Sequence, residues 1–92
     1  MPVTVHIPTP LRPFAGKQDQ VSVEGASVGE VLARLTAGHP ALRPHLYTPE
    51  GRLRSFVNIY LNDEDIRYIG REAAPVKPGD TLSIVPAVAG GR

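Results

Sequence analysis

Ninety-two residues, 41% apolar and 21% charged, make one small globular domain, and a net charge of +1 is too little for a nucleic-acid-binding face. The absence of cysteine excludes a disulfide framework, a thiol nucleophile and thiolate metal ligands together. No apolar run reaches membrane-spanning length and no basic flank precedes an apolar stretch at the start, so a soluble, cytoplasmic protein is expected.

Val3, Val5 and Ile7 alternate with polar neighbours and predict a strand with one buried face. Pro8, Pro10 and Pro13 end its ladder, since proline offers no N–H to a neighbouring strand. After a polar turn at residues 17–19, Val21 and Val23 predict a second strand in a hairpin with the first. Val28, Val31, Leu32 and Leu35 then fall on one face of a helix. Ser27 and Glu30 form a capping box before it, and Gly38 with Pro40 stops it.

Residues 39–55 read as an ordered loop with room for one helical turn, anchored by Leu42 and Leu46. Arg43, Arg52 and Arg54 make it an ordinary charged loop, with an acidic partner surface as the alternative. Residues 56–61 are the next strand, with Val57, Ile59 and Leu61 inward. A turn at 62–65 and a short strand at 66–69 follow, then a turn at 77–80. The last strand, residues 81–87, turns Leu82 and Ile84 inward. One helix on one mixed sheet of four to five strands is a two-layer α+β domain, with the first and last strands parallel at its centre. His6, His39 and His45 lack ligand spacing, and Asp63 to Asp65 lack the oxygen spacing of a calcium loop.

The chain divides into a domain at residues 1–86 and a flexible tail at 87–92, Ala-Val-Ala-Gly-Gly-Arg. Two adjacent glycines can enter a slot too narrow for side chains, and Val88 and Ala89 add little bulk ahead of them.

This order of elements, closed by a strand running into Gly-Gly, resembles the β-grasp, ubiquitin-like fold. FVNIYLNDEDIRY at 56–68, SIVPAVAGG at 83–91 and VTVHIPTPLRPFAG at 3–16 are similar to the ThiS/MoaD family of prokaryotic sulfur carriers, and within it to the carriers of cysteine biosynthesis. The resemblance implies a co-substrate rather than an enzyme, with Gly91 as the reactive terminus. A ubiquitin-activating-like adenylating and sulfurtransferase enzyme would activate Gly91 with ATP, and sulfur would convert it to a thiocarboxylate. Gly90, Ala89 and Val88 would thread the partner's active site.

Carriers of this family generally end at the second glycine, so Arg92 implies a precursor. A JAMM-type zinc metallopeptidase would cut between Gly91 and Arg92. A cysteine synthase dependent on pyridoxal phosphate would take the sulfur, and the same peptidase would release the cysteine formed on the carrier. ATP, pyridoxal phosphate and zinc belong to these partners; no cofactor, metal, nucleic acid or membrane is expected on the chain itself. By the same resemblance, the sheet face opposite the helix, with Val85, Tyr60 and Pro8, is the partner-binding surface. Molybdopterin, thiamine, tRNA and secondary metabolites stay open as sulfur destinations. A ubiquitin-like protein modifier and an interaction module with an inert tail stay open as other functions.

Overall fold

Alternating burial on three strands builds the floor of the core. In the computed structural model, which describes residues 2–55 and 57–86, Val3, Val5 and Ile7 are buried together with Val57, Ile59 and Leu61, and with Leu82 and Ile84. The strands are β1 (Val3–His6), β2 (Gln20–Val23), β3 (Val57–Leu61), β4 (Glu64–Asp65) and β5 (Thr81–Pro86). They form one sheet in the order β2-β1-β5-β3-β4. β1 and β5 are parallel and the other pairs antiparallel. This is the topology of the β-grasp fold, with the last strand at the centre.

Helix α1 (Val28–Gly38) covers one sheet face with Val28, Val31, Leu32 and Leu35, all buried. Its start is fixed as the sequence predicts: Ser27 Oγ accepts from the Glu30 N–H at 3.2 Å. The Glu30 carboxylate reaches back one residue beyond the usual partner and accepts from the Ala26 N–H at 2.7 Å. The helix ends at Gly38, followed by a 3₁₀ turn (Pro40–Leu42) and one turn of helix, α2 (Arg43–Leu46). Leu42 and Leu46 are both fully buried, the anchoring role expected of them.

Three segments differ from the sequence expectation. The proline-rich stretch after β1 is a 3₁₀ helix (Thr9–Ala15) that lays Leu11 and Ala15 on the core and ends on Gly16 at φ 67°. Arg12 Nε donates to the Ile7 carbonyl at 3.0 Å, so the helix also clamps the end of β1. β1 and β2 are therefore adjacent and antiparallel, but joined by this long connection rather than a tight turn.

The two-residue strand β4 occupies positions read as a turn, and residues 66–69 hold a 3₁₀ turn (Ile66–Tyr68) in place of the expected strand. Asp65 causes the change: its Oδ1 accepts from the Arg67 N–H at 2.9 Å, which bends the chain one residue after the ladder. Asn62 and Asp63 both take positive φ (49° and 74°), as a two-residue hairpin turn between Leu61 and Glu64 requires. Phe56 and Ala87, expected at strand ends, lie outside the described residues. No helix among the described residues is long and apolar enough to cross a membrane.

Candidate functional site

The sheet has one covered face and one open face. Pairing fixes what the open face carries, because paired residues point the same way and neighbours along a strand point oppositely. Gln20, His6, Ser83, Tyr60 and Asp65 form a transverse row across all five strands. Val85 pairs with Asn58, one step nearer the tail on the same face. Val85 is 44% exposed, although it sits on the central strand where apolar side chains are usually covered. Tyr60 lies diagonal to Val85, a spacing of about 7–8 Å that an aromatic ring can bridge. Pro8, half-buried and extended, follows β1 beyond the last paired residue, His6, and caps the 3₁₀ helix. The structure thus gathers Val85 and Tyr60, two of the residues singled out from sequence, on one face near the end of the sheet where β5 finishes, and leaves Pro8 outside the paired register.

β5 is held on both sides, by β1 and by β3, up to Ser83, and by β3 alone from Ile84 to Pro86 opposite Val57. Its start is also pinned. Asn62 Oδ1 accepts from the Thr81 N–H at 3.0 Å, and Asn62 Nδ2 donates to Asp80 Oδ1 at 3.0 Å. Asp80 Oδ2 accepts from the Lys77 N–H at 2.8 Å. The Lys77 main-chain N–H and then the Asn62 amide hold the Asp80 carboxyl below the ordinary carboxylate range. A tail leaving β5 therefore departs from a fixed point. Val88, Ala89, Gly90, Gly91 and Arg92, the residues expected to carry the tail chemistry and processing, lie outside the described residues.

At the β4 edge of the open face, Arg67 grips Asp65 through both carboxylate oxygens, Nε to Oδ1 at 3.1 Å and a terminal nitrogen to Oδ2 at 2.7 Å. These side-chain bonds, then the Arg67 main-chain N–H, lower the Asp65 pKa. Beside the pair stands Tyr68, 84% exposed, which sequence reasoning did not select. Read as a strand, residues 66–69 would bury Ile66 and Tyr68 on one face; the 3₁₀ turn keeps Ile66 buried and swings Tyr68 out. In the segment after α1, Tyr47 is buried beneath Arg43, whose guanidinium carbon lies 5.0 Å from the ring centroid. Burial first, then Glu72, raise the Tyr47 pKa against the pull of Arg43. In the same turn His45 stacks on Phe14 at 4.1 Å between ring centroids. That stack ties residues 40–47 to the 3₁₀ helix after β1.

A model of the ThiS family matches residues 5–91. The sulfur carrier protein CysO of Mycobacterium tuberculosis is 47% identical over 93 aligned positions, spanning 99% of this chain and 100% of that protein. A chain in the crystal structure of the Amycolatopsis orientalis BexX/CysO complex superposes with a TM-score of 0.88 at 46% identity, covering 97% of this chain and 99% of that one. Small archaeal modifier protein 1 of Haloferax volcanii is 36% identical over 78% of this chain and 79% of its own length. Its crystal structure superposes with a TM-score of 0.85 at 28% identity, covering 99% of this chain and 100% of that one.

Proposed function

Since the chain belongs to the ThiS family, we propose that it is a sulfur carrier, a co-substrate whose working group is the main-chain carboxylate of Gly91 after removal of Arg92. The observation that carries this reading is the 47% identity, end to end, to a protein named as a sulfur carrier. A carboxylate is a poor electrophile. In the first step its oxygen attacks the α-phosphorus of ATP on a ubiquitin-activating-like enzyme, and pyrophosphate leaves. In the second, hydrosulfide attacks the acyl carbon, AMP leaves with one of the original oxygens, and the thioacid proton goes to solvent. The thiocarboxylate so formed carries sulfur on a chain that has no cysteine.

The chain's own part is presentation. β5 supplies a fixed root for the tail, and the face bearing Val85 and Tyr60 gives the enzyme a grip on the domain. Arg92 would place a bulky cation and a displaced carboxylate where the reaction needs the Gly91 terminus, so the untrimmed form is inactive and a JAMM-type metallopeptidase precedes activation. The resemblance of the sequence to the carriers of cysteine biosynthesis favours a pyridoxal-phosphate-dependent cysteine synthase as the acceptor enzyme, acting in the cytoplasm. That one structure pairs a related chain with BexX supports docking onto a separate protein as the mode of action.

A second reading, a protein modifier joined to lysines, is favoured by the likeness to small archaeal modifier protein 1. Two measurements test the reading, and the second separates it from the modifier. The chain ending at Gly91 and the chain ending at Arg92 are each incubated with ATP and the adenylating enzyme, and pyrophosphate release is followed. The carrier reading expects release from the Gly91 form alone, and no isopeptide-linked adducts in extracts of cells expressing it. Equal release from both forms, or abundant adducts without thiocarboxylate, contradicts it.

A further inference from the structure

A groove of about 500 Å³ runs beside β3, on the side of the buried Val57 and Ile59. Two distant stretches of chain make its walls, Arg52 to Ser55 on one side and Ile66, Arg67, Arg71 and Glu72 on the other. Its floor is apolar: Val57, Ile59 and Ile66 are buried, and Leu53 is half-buried against the core. Its charge is one-sided, with four arginines lining it against the single carboxylate of Glu72. Arg67 is committed to Asp65, and Arg54 Nε donates to the Pro44 carbonyl at 2.8 Å. Arg52 and Arg71 are exposed and make no ion pair among the described residues.

The backbone beside the groove is a partly open sheet edge. β4 pairs only with Tyr60 and Leu61, so no described strand flanks residues 57–59 on that side. The Asn62 N–H bonded to the Thr81 carbonyl sets the parity of the β3–β5 ladder. That parity aims the main-chain groups of Asn58 and Tyr60 at β5 and those of Val57 and Ile59 toward the groove. The Val57 N–H is taken by the Arg54 carbonyl at 3.0 Å, which narrows the open stretch to the groups around Ile59.

We propose that this groove docks an extended acidic segment of a partner protein, in which apolar side chains alternate with Asp or Glu. Such a segment lies along β3 near Ile59, sets its apolar side chains on Leu53, Val57 and Ile66, and brings its carboxylates to Arg52 and Arg71. Charge complementarity selects it: clustered like charges repel in the free protein, and an anionic occupant relieves that. The apolar floor favours a peptide with alternating apolar side chains over a nucleic acid backbone. The end of β3 nearest the groove's Arg54 and Ser55 wall pairs with Pro86, so the site lies beside the end of β5. The proposal goes beyond the carrier reading and does not depend on the tail's chemistry.

The test uses the ¹⁵N-labelled full chain and the synthetic peptide acetyl-Asp-Val-Glu-Ile-Asp-Val-Glu-amide, followed by amide chemical shifts. The expected shifts cluster at Leu53, Ile59 and Ile66. The double variant Arg52→Glu/Arg71→Glu, both sites being exposed, keeps its melting temperature and binds about tenfold more weakly. The Asn/Gln version of the peptide is weakened similarly. Shifts that map elsewhere, a double variant that binds as tightly as the parent, or no binding at millimolar peptide would each overturn the proposal. So would a single-stranded oligonucleotide that moves the same amides when the peptide does not.

Discussion

Replacing Val85 tests whether the open sheet face grips a partner. Fully burying a valine side chain is worth about 1.5–3 kcal/mol. The fold leaves 44% of Val85 in water, so only that share is available to a partner. It amounts to about 0.7–1.3 kcal/mol, which caps the loss for Val85→Ala at roughly a three- to ninefold fall in kcat/KM for adenylation. Val85→Asp goes further, because a carboxylate pressed against the partner without a counter-charge costs about 3 kcal/mol or more, a fall beyond about a hundredfold. Neither change removes a core contact, so both proteins stay within about 1 kcal/mol of the parent in stability. The assay is pyrophosphate release by the adenylating enzyme at varied carrier concentration, with thermal melts alongside. Ser22→Asp, on the same face but on outer strand β2, is the control and should leave kcat/KM unchanged. Parental kcat/KM in a well-folded Val85→Asp variant would refute the reasoning.

Three further outcomes follow from the same structure. Gly91→Ala in the trimmed chain adds a Cβ at the reacting residue, and a shift of about 1 Å there should cut adenylation by roughly a hundredfold with no change in melting temperature; retained activity would favour an inert tail. Ser27→Ala removes the bond to the Glu30 N–H and should cost about 1 kcal/mol, a fall in melting temperature of about 4–8 °C for a domain of this size, read by circular dichroism. The lowered Asp80 pKa makes its stabilisation complete above the unfolded value of about 3.9 and lost as pH falls through the folded one. Asp80→Ala should therefore lower the melting temperature at pH 7 and flatten its decline below about pH 4, where the parent is losing the same contribution.

Those elements were legible in the sequence whose residues repeat with one period against one buried face. Val3, Val5 and Ile7, the helix face from Val28 to Leu35, and Leu82 with Ile84 are of this kind. The capping box was legible because it is local, three residues from donor to acceptor. The 3₁₀ helix at residues 9–15 was not. Prolines announce the end of a strand, but nothing local says that Leu11 and Ala15 then return to the core. Residues 66–69 misled because Ile66 and Tyr68 satisfy alternation, while the Asp65 carboxylate that turns the chain has several other options in a sequence.

Of the candidate site, Val85 and Tyr60 could be assigned to the face opposite the helix by counting along strands. The arginine groove could not, since its walls are about 15 residues apart and meet only through the turns after β4. The sequence marks Arg52 and Arg54 as a charged loop; only the folded chain puts Arg67 and Arg71 across from them.

Intact-mass spectrometry of the chain ending at Gly91, after incubation with ATP, its adenylating enzyme and a sulfide source, tests the central claim most directly. The account predicts a mass increase equal to exchange of one oxygen for sulfur, placed on Gly91 by fragmentation and absent without ATP. An unchanged mass, from an enzyme shown to be active on another carrier, would contradict it.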